Sequence, residues 1–306
     1  MVRLPEAFSA ELSFVLASLM AKRLSGQEAK KWKKSLGRVE SSGPCAHILG
    51  RECILPRSYW PLDAVILPYT SKRSYGFGEY IVWELKLFSQ AADHVFFLTQ
   101  LLPAMEEAGF TADESLRFGH NLWGCFDLHT VKIADGDTWH PIVSNGEVDL
   151  RYQPSTSQWA KGLSNTLEER PQFFQLRWLV PCYCSALIPY DENTAEEPPP
   201  SLSDLLGALV WRIGHLNLRR GQTFDQLLAH IDPEPRSSLL QLMDNLSSIS
   251  MHSTPCPQIW RTIGGGWTGT QDFEHIPPQI IDYLQLASIL HIGAYTHYGC
   301  GTYMLL

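Results

Sequence analysis

The sequence predicts an α+β protein made of two modules, and three observations lead to that fold class. Each half runs through a strand, a helix, a glycine-rich turn and a further strand, without a literal sequence repeat. A polar stretch without periodicity, residues 151–172, lies between the halves and predicts a linker. With 306 residues, of which 44% are hydrophobic and 18% charged, the chain can bury a core. We therefore expect domains over 1–150 and 173–306.

The N-terminal module is predicted to begin with a helix rather than a strand. Ser9 is a suitable cap for a helix that carries Leu12, Leu16 and Leu19 on one face. The segment KKWKK continues helical structure after Gly26.

The rest of the N-terminal module alternates between strand and helix signals. YIVWELKLF, residues 80–88, alternates well enough for a strand. An amphipathic helix is predicted from about 89 to 108, with a kink at Pro103 and a stop at Gly109. Glycines in residues 117–133 then lead into another strand.

The C-terminal module opens with a strand in FFQLRWLVPCYCSALI, residues 173–188. Ser201 with Asp204 predicts a capping box for the helix LSDLLGALVWRIGHLNL, and a further helix follows around FDQLLAHI. Pro277 and Pro278 open a last helix that runs through Leu290 into a glycine loop and a final strand. The arginines of the first helix region are expected on a solvated face; these are Arg212, Arg219 and Arg220.

Charge and composition exclude several classes of protein. The net charge of −8 argues against coating nucleic acid through a general positive field, but Lys22–Arg38 holds seven basic residues and only Glu28 as an acid. That segment predicts either a solvated helix face or a local contact with a polyanion. Seven cysteines without a C-x-x-C predict free thiols in a reducing cytoplasm, rather than a disulfide framework or a zinc site. No apolar stretch is long enough to cross a bilayer, so a soluble cytoplasmic protein is expected.

The chain closes on an unusual segment, HIGAYTHYGCGTYMLL, which contains Gly293, Gly299 and Gly301 but no Lys or Arg. Glycines in such a run indicate a backbone that approaches something closely. The residues alone leave open whether that partner is a ligand or the core of the protein. Phosphate-binding P-loops, G-x-S-x-G elbows and suggestively spaced carboxylate pairs do not occur, and we expect no cofactor and no metal.

These motifs, taken in order, resemble a known family. HIGAYTHYGCGTYML resembles the C-terminal glycine-rich signature of the RAMP superfamily, specifically of the CRISPR repeat-RNA-processing endoribonucleases. YIVWELKLFSQAADHVFFLTQLLPAMEEAGF, RFGHNLWGCFDLHTV, LRWLVPCYCSA and IGGGWTG resemble further segments of that family in the same order. The likeness covers roughly residues 50 to 306. Against the family pattern, the first strand of the N-terminal domain is short or missing here.

The resemblance implies two tandem ferredoxin-like domains and a metal-independent cleavage of CRISPR repeat RNA. In that chemistry a ribose 2′-OH attacks the adjacent phosphate, a base removes its proton, and donors stabilise the phosphate and the leaving oxygen. His47, in GPCAHILG, is the histidine best placed in the N-terminal module to be that base. A surface or capping histidine is the alternative.

The residues expected to contact RNA fall into three groups. Glycine backbones can reach phosphates, and aromatic and histidine side chains can stack or hydrogen-bond. The alternative for the glycines at 264–266 is a flexible hairpin, and the alternative for His291, at the end of the last helix, is capping of that helix. The predicted contacts are Lys30, Lys31, Lys33 and Lys34; Gly264 and Gly265; and Gly293, Tyr295, His297, Gly299 and Gly301.

The sequence therefore favours a CRISPR-associated protein that binds the repeat hairpin, cleaves the precursor RNA and stays bound within an effector complex. A rival hypothesis is a non-catalytic scaffold for CRISPR RNA. The absence of cations in the glycine loop, where the family commonly has one at the place of Ala294, favours this rival, as does the acidic net charge. A third hypothesis is an interaction protein without an RNA function, which would be supported if the Lys22–Arg38 segment and the glycine loop lay on opposite ends of the molecule. The predicted partners are repeat RNA and other effector subunits, and no membrane.

Overall fold

The protein is described here from a computed structural model. The structure describes residues 1–4, 8–36, 60–69, 72–88, 93–111, 122–155, 157–161, 175–184, 198–217, 223–256, 266–293 and 295–306. Within these ranges helices and small antiparallel sheets are mixed, which confirms the predicted α+β class. No helix in these ranges is long and apolar enough to cross a membrane.

Most of the predicted helices are present, whereas the helix Pro233–Ser247 and the strand Met251–Pro255 were not predicted. The helices are α1 Phe8–Arg23, α2 Gly26–Ser35, α3 His94–Phe96, α4 Leu102–Phe110, α5 Leu202–Leu216, α6 Phe224–Leu228, α7 Pro233–Ser247 and α8 Pro278–Leu290. The strands are β1 Val2–Arg3, β2 Ala64–Pro68, β3 Ser74–Tyr75, β4 Trp83–Leu87, β5 Thr130–Asp135, β6 Thr138–Ser144, β7 Glu147–Val148, β8 Gln175–Trp178, β9 Met251–Pro255, β10 Gly269–Phe273 and β11 Tyr303–Leu305.

The C-terminal module is built on a four-stranded antiparallel sheet in the order β11-β8-β10-β9. Along the chain its strands and two packing helices follow the pattern β-α-β-β-α-β, with α6 and α7 added to the first crossover. Apolar side chains of α5 and α8 cover the sheet, among them Leu205, Leu209, Ile281 and Leu284. This core includes Tyr303 of β11, so that strand contributes a side chain to the interior.

The N-terminal module is organised around α1, which is buried on nearly all sides. Leu16, Leu19 and Met20 are fully buried and pack with Ile66 of β2 and Leu101. The described strands form small separate sheets, β1-β3, β2-β4 and β5-β6-β7. The first strand has two residues. The tandem ferredoxin-like arrangement stays a prediction.

The predicted capping box of α5 is confirmed by hydrogen bonds. Ser201 Oγ accepts from the amide of Asp204, and the Asp204 carboxylate accepts from the amide of Ser201, which is the predicted capping box at α5. A five-residue π-helical segment, Phe97–Leu101, joins α3 to α4 directly before Pro103, where a kink was expected. Proline cannot donate its backbone hydrogen bond there, which accounts for the local irregularity.

The predicted linker has a structured part. Residues 157–161 include a short 3-10 turn, Gln158–Ala160, whose Gln158 side chain donates to the carbonyl of Ala134. The amide of Gly136 in turn donates to the carbonyl of Gln158, so this segment packs on the β5–β6 hairpin. The division of the chain at 151–172 stays a prediction.

Candidate functional site

The C-terminal loop between α8 and β11 has an unusual backbone. His291 and Tyr295 have φ values of 55° and 58°, and Gly293, Gly299 and Gly301 lie at 87°, 81° and 79°. This left-handed region is accessible to glycine without steric cost. The loop therefore reverses direction several times over a short distance before it enters the sheet.

The three glycines approach the backbone of the protein itself. A Cβ atom at Gly301 would lie 1.8 Å from the carbonyl oxygen of Ile292, and one at Gly299 would lie 2.5 Å from that of Ile66. A Cβ at Gly293 would lie 2.6 Å from the carbonyl oxygen of Tyr183. Of the two possibilities for the close approach, the structure shows contact with the core. The prediction that these glycines also contact RNA stays a prediction.

The loop is seated on the N-terminal module. Ser9 Oγ at the start of α1 donates to the carbonyl of Tyr298 over 2.6 Å, across 289 positions of sequence. Tyr298 and Cys300 are fully buried in a small cluster with Ala10 and Leu67. This cluster joins the last loop of the chain to its first helix and to β2.

A chain of hydrogen bonds fixes the loop from the other side. Lys86 Nζ on β4 lies 2.9 Å from His291 Nε2 and also donates to the carbonyl of Ile289. His291 Nδ1 lies 2.5 Å from Thr302 Oγ1, which donates to the carbonyl of Gly299 over 2.7 Å. A lysine ammonium only donates, so His291 accepts at Nε2 and carries its proton on Nδ1. The chain thus runs in one direction, from the β4 lysine to the loop backbone.

Burial changes the ionisation of the groups in this network. Desolvation, with smaller contributions from Lys86 and Arg212, holds the pKa of His291 well below its ordinary value. Desolvation also lowers the pKa of Lys86, against the opposing effect of Glu84. For both side chains the charged form is disfavoured by removal from water. His291 is therefore neutral at pH 7, as its acceptor role requires.

Arg212 lies at the same junction, and here the sequence prediction was wrong. Its side chain is 2% exposed, whereas a solvated face was expected. Nε donates to the carbonyl of Leu290, the guanidinium lies 5.4 Å from the ring centroid of Phe88, and Nη1 lies 4.0 Å from Oδ1 of the buried Asp63. Arg212 thus connects α5, the end of α8 and the N-terminal module. Arg219 and Arg220 lie outside the described residues.

His297 and Tyr295, both predicted to contact RNA, lie in different surroundings. The His297 ring is 3% exposed, and desolvation, with a smaller contribution from Arg212, lowers its pKa to about 3. Tyr295 is 38% exposed, and its ring stacks on that of Tyr298 and meets that of Tyr183 edge-on. Tyr295 is therefore the predicted aromatic contact that solvent reaches.

The lysine helix α2 presents its charges to solvent. Lys30, Lys31, Lys33 and Lys34 are all exposed, whereas Trp32 between them is buried against Trp60. Lys31 pairs with Glu28 over 2.6 Å, and neither Lys30 nor Lys33 forms an ion pair with any residue in the described ranges. Trp32 anchors the helix and leaves its lysine face outward.

The remaining predicted residues cannot be placed. His47, Gly264 and Gly265 lie outside the described residues. The neighbouring Gly266 is described, and a Cβ there would lie 2.5 Å from the ring of Tyr183, so it too approaches the protein itself. Across the described ranges, no group of three His, Cys, Asp or Glu side chains is arranged to hold a metal ion.

Sequence reasoning missed Lys86, Asp63 and the burial of Arg212. A signal for Arg212 was present, because it lies three residues after Leu209 and seven after Leu205, on the same helical stripe. Lys86 lies on a strand whose residues are all partly buried, and no local pattern marks it. Its role depends on residues about 200 positions away.

Comparison with known proteins gave few matches. No family model matches the chain, and no curated protein matches it. Among solved structures it is similar to chains described as "Partial Cas6-RT-Cas1--Cas2 complex" and "Cas6-RT-Cas1--Cas2 complex", each at 14% identity and a TM-score of 0.43. The alignments cover 79% of this chain but only 38% and 24% of those chains, respectively. The chain thus spans well under half the length of either, and likeness at this level assigns neither fold nor activity.

Proposed function

We propose that this chain is a CRISPR-associated RNA-binding protein that recognises the repeat hairpin through the exposed lysine face of α2. The observation that carries the proposal is the pair Lys30 and Lys33, which are exposed and have no ion pair among the described residues, in a chain of net charge −8. A concentration of cations on an acidic protein indicates a local anionic partner.

Physical chemistry favours a polyanion at this face. Like charges three or four residues apart on a helix repel each other by about 0.2–0.5 kcal/mol per pair. On α2 the pairs Lys30–Lys33, Lys30–Lys34 and Lys31–Lys34 all have that spacing. Phosphates along an RNA backbone would relieve the repulsion and release bound counterions.

The class of RNA rests on the ordered sequence resemblance over residues 50–306. The same resemblance is the basis for proposing two tandem ferredoxin-like domains, and the β-α-β-β-α-β order of the C-terminal module supports the second of them. In this proposal other CRISPR effector subunits are the protein partners. Tyr295 would contact a base through the part of its ring that solvent reaches, beside its contacts with Tyr183 and Tyr298.

Cleavage is the finer part of the proposal. His47 would take the proton of a ribose 2′-OH while the 2′-oxygen bonds to the adjacent phosphorus. The bond from phosphorus to the 5′-oxygen breaks, and a donor supplies a proton to that oxygen. The products are a 2′,3′-cyclic phosphate and a free 5′-hydroxyl, and no metal is consumed or required.

A non-catalytic scaffold is the second candidate, and one observation favours it. The glycine loop is filled by contacts with Ile66, Tyr183 and Ile292, and the nearby His291 and His297 are buried. A loop of this kind holds the two modules together and leaves RNA binding to exposed residues. The glycine loop contacts α1 at Ser9, near the start of that helix. The lysine helix α2 follows the other end of α1, which lies about 20 Å from Ser9 along the helix axis.

One assay separates the two candidates. Purified wild-type protein and its His47→Ala and Lys30→Gln/Lys33→Gln variants are incubated in EDTA with end-labelled CRISPR repeat RNA, and binding and cleavage are scored separately. The proposal expects the lysine variant to lose binding. It further expects His47→Ala to lose cleavage with binding intact. Tight binding without cleavage by the wild type supports the scaffold, and absence of binding overturns both.

A further inference from the structure

A groove lies between the second half of α1 and the lysine face of α2. It is open to solvent and has a volume of about 810 Å³, within the range of pockets that hold small organic ligands. Phe14, Ala21, Leu24, Ala29 and Leu36 provide its apolar surface. Lys22, Lys30 and Lys33 also line it, so the groove combines an apolar floor with a cationic edge.

The helical spacing explains why these features coincide. The groove-lining residues of this segment are spaced so that they lie along one side of α2 and its C-terminal cap. They are Ala29, Lys30, Lys33 and Leu36. Trp32, three residues after Ala29, borders this side and packs into the core. The turn at Ser25 and Gly26, where Gly26 has a φ of 59°, brings this side of α2 against the end of α1.

We infer that this groove holds an unpaired nucleotide of the bound RNA, with its base on the apolar floor and the flanking phosphates at Lys30 and Lys33. This inference rests on the proposed function and adds to it a preference for RNA with a single-stranded segment. Bases that leave the stack are bound by aromatic and apolar surfaces, while cations follow the backbone. A fully paired stem presents phosphates but no free base, so the stem alone would use only the edge of the groove.

Charge complementarity favours RNA as the occupant. Lys30 and Lys33 both line the groove without an ion pair among the described residues, and Lys34 extends the cationic face past it. An unstacked base would place its ring on the apolar floor of the groove. The phosphates on either side of that base would then meet the ammonium groups at the edge. An acidic amphipathic peptide is the competing occupant, and the experiment separates the two.

The test fills the groove without changing its charge. Ala29 is buried at the groove surface, and Ala29→Trp would occupy the space expected for the base; Gln27→Trp adds the same ring on an exposed position outside the groove. Binding is measured by fluorescence anisotropy for a repeat stem-loop with a single-stranded 5′ extension. The same stem-loop without the extension, and one with an extension of abasic nucleotides, are the comparison probes.

The expected result is a loss of about tenfold in affinity for the extended RNA with Ala29→Trp, and little change for the blunt stem-loop or for Gln27→Trp. The abasic extension should bind the wild type as weakly as Ala29→Trp binds the normal extension. Circular dichroism checks folding, and Ser18→Phe, on the α1 side of the groove, repeats the test if Ala29→Trp does not fold.

Three outcomes would overturn the inference. Equal affinity for normal and abasic extensions would show that only phosphates are bound. An unchanged affinity of the folded groove-filling variant, Ala29→Trp or its substitute Ser18→Phe, would show that the groove is not used. If Ala29→Trp weakens binding of the protein to an acidic amphipathic peptide and leaves RNA binding unchanged, the groove would belong to a protein partner. If Lys30→Gln/Lys33→Gln still weakens the blunt stem-loop, the proposed RNA function stands even though the groove inference fails.

Discussion

Lys86 Nζ on β4 lies 2.9 Å from Nε2 of His291 at the end of α8, a contact that joins residues 205 positions apart. Through Thr302 the same hydrogen-bond chain reaches the carbonyl of Gly299. The glycine loop is therefore held by the first module on two sides, at Ser9 and at Lys86. The loop is thus a joint that ties the end of α8 and the start of β11 to α1 and β4.

Removing the ammonium of Lys86 tests the joint. Lys86→Met keeps the length of the side chain but leaves His291 Nε2 and the Ile289 carbonyl without their donor. Buried acceptors left unsatisfied cost about 1–3 kcal/mol, so we expect the free energy of unfolding to fall by about 2 kcal/mol in urea. Lys132→Met, at an exposed position of β5, is the control and should change it by less than about 0.5 kcal/mol. Equal effects of the two substitutions would contradict the role of Lys86.

Acid should destabilise the protein through its buried histidines. The native pKa of His297 is about 3, and its ordinary value is 6.5. Between these values the unfolded chain binds a proton that the native protein does not, so stability falls as pH decreases from about 6.5 towards 3. The slope for one such group is about 1.4 kcal/mol per pH unit, and His291 acts in the same direction.

The measurement is the free energy of unfolding at several pH values from 7 down to about 4. His297→Asn should show a shallower loss than the wild type, whatever its stability at pH 7. His129→Asn, on an exposed position, should keep the wild-type slope. A wild-type slope in His297→Asn would show that this ring is protonated in the native protein.

Two glycines with the same φ angle allow the cost of backbone strain to be measured separately from the cost of a steric clash. Gly301 and Gly146 both have φ of 79°, but a Cβ at Gly146 would meet nothing within 4 Å, whereas one at Gly301 would overlap the Ile292 carbonyl. Gly146→Ala should therefore cost about 1–2 kcal/mol from its left-handed conformation alone. Gly301→Ala should cost several kcal/mol more or prevent folding, because a backbone carbonyl must move. Similar urea midpoints for the two variants would exclude the tight packing described for the loop.

Substitutions of two adjacent residues test which face of α5 is buried. Arg212 is buried beside Asp63, and Ile213 is 37% exposed. Removing one partner of a buried charge pair costs about 3–5 kcal/mol, so Arg212→Met should lower the unfolding free energy by about that amount. Ile213→Ser should change it far less. If Ile213→Ser lowered the free energy of unfolding more than Arg212→Met, the solvent-exposed position that the sequence predicted for Arg212 would be correct.

The case of Arg212 shows where sequence reasoning succeeds and fails. Periodicity located α5 and its capping box because those signals lie within a few residues of each other. It misplaced the face because a charged residue on an apolar stripe is usually solvent-exposed, and the partners that satisfy Arg212 come from Asp63, Phe88 and Leu290, remote in sequence. Only the fold brings these groups together.

The C-terminal loop shows the same limit at the candidate site. Gly293, Gly299 and Gly301 correctly predicted a close backbone approach, because glycine is needed where a Cβ would clash. The sequence could not identify the approaching backbone, since Ile66 and Tyr183 are distant along the chain. The exposure of the lysines on α2 was a local inference, and the structure places all of them at the surface.

The most direct test of the central claim is the salt dependence of RNA binding. The equilibrium affinity of wild type and of Lys30→Gln/Lys33→Gln for CRISPR repeat RNA is measured over a range of salt concentrations, with Lys132→Gln as the control. If α2 binds phosphates, the double variant binds more weakly and the slope of log K against log salt falls by about 1.5, while the control keeps both. Wild-type affinity and slope in the double variant would contradict RNA recognition by this helix.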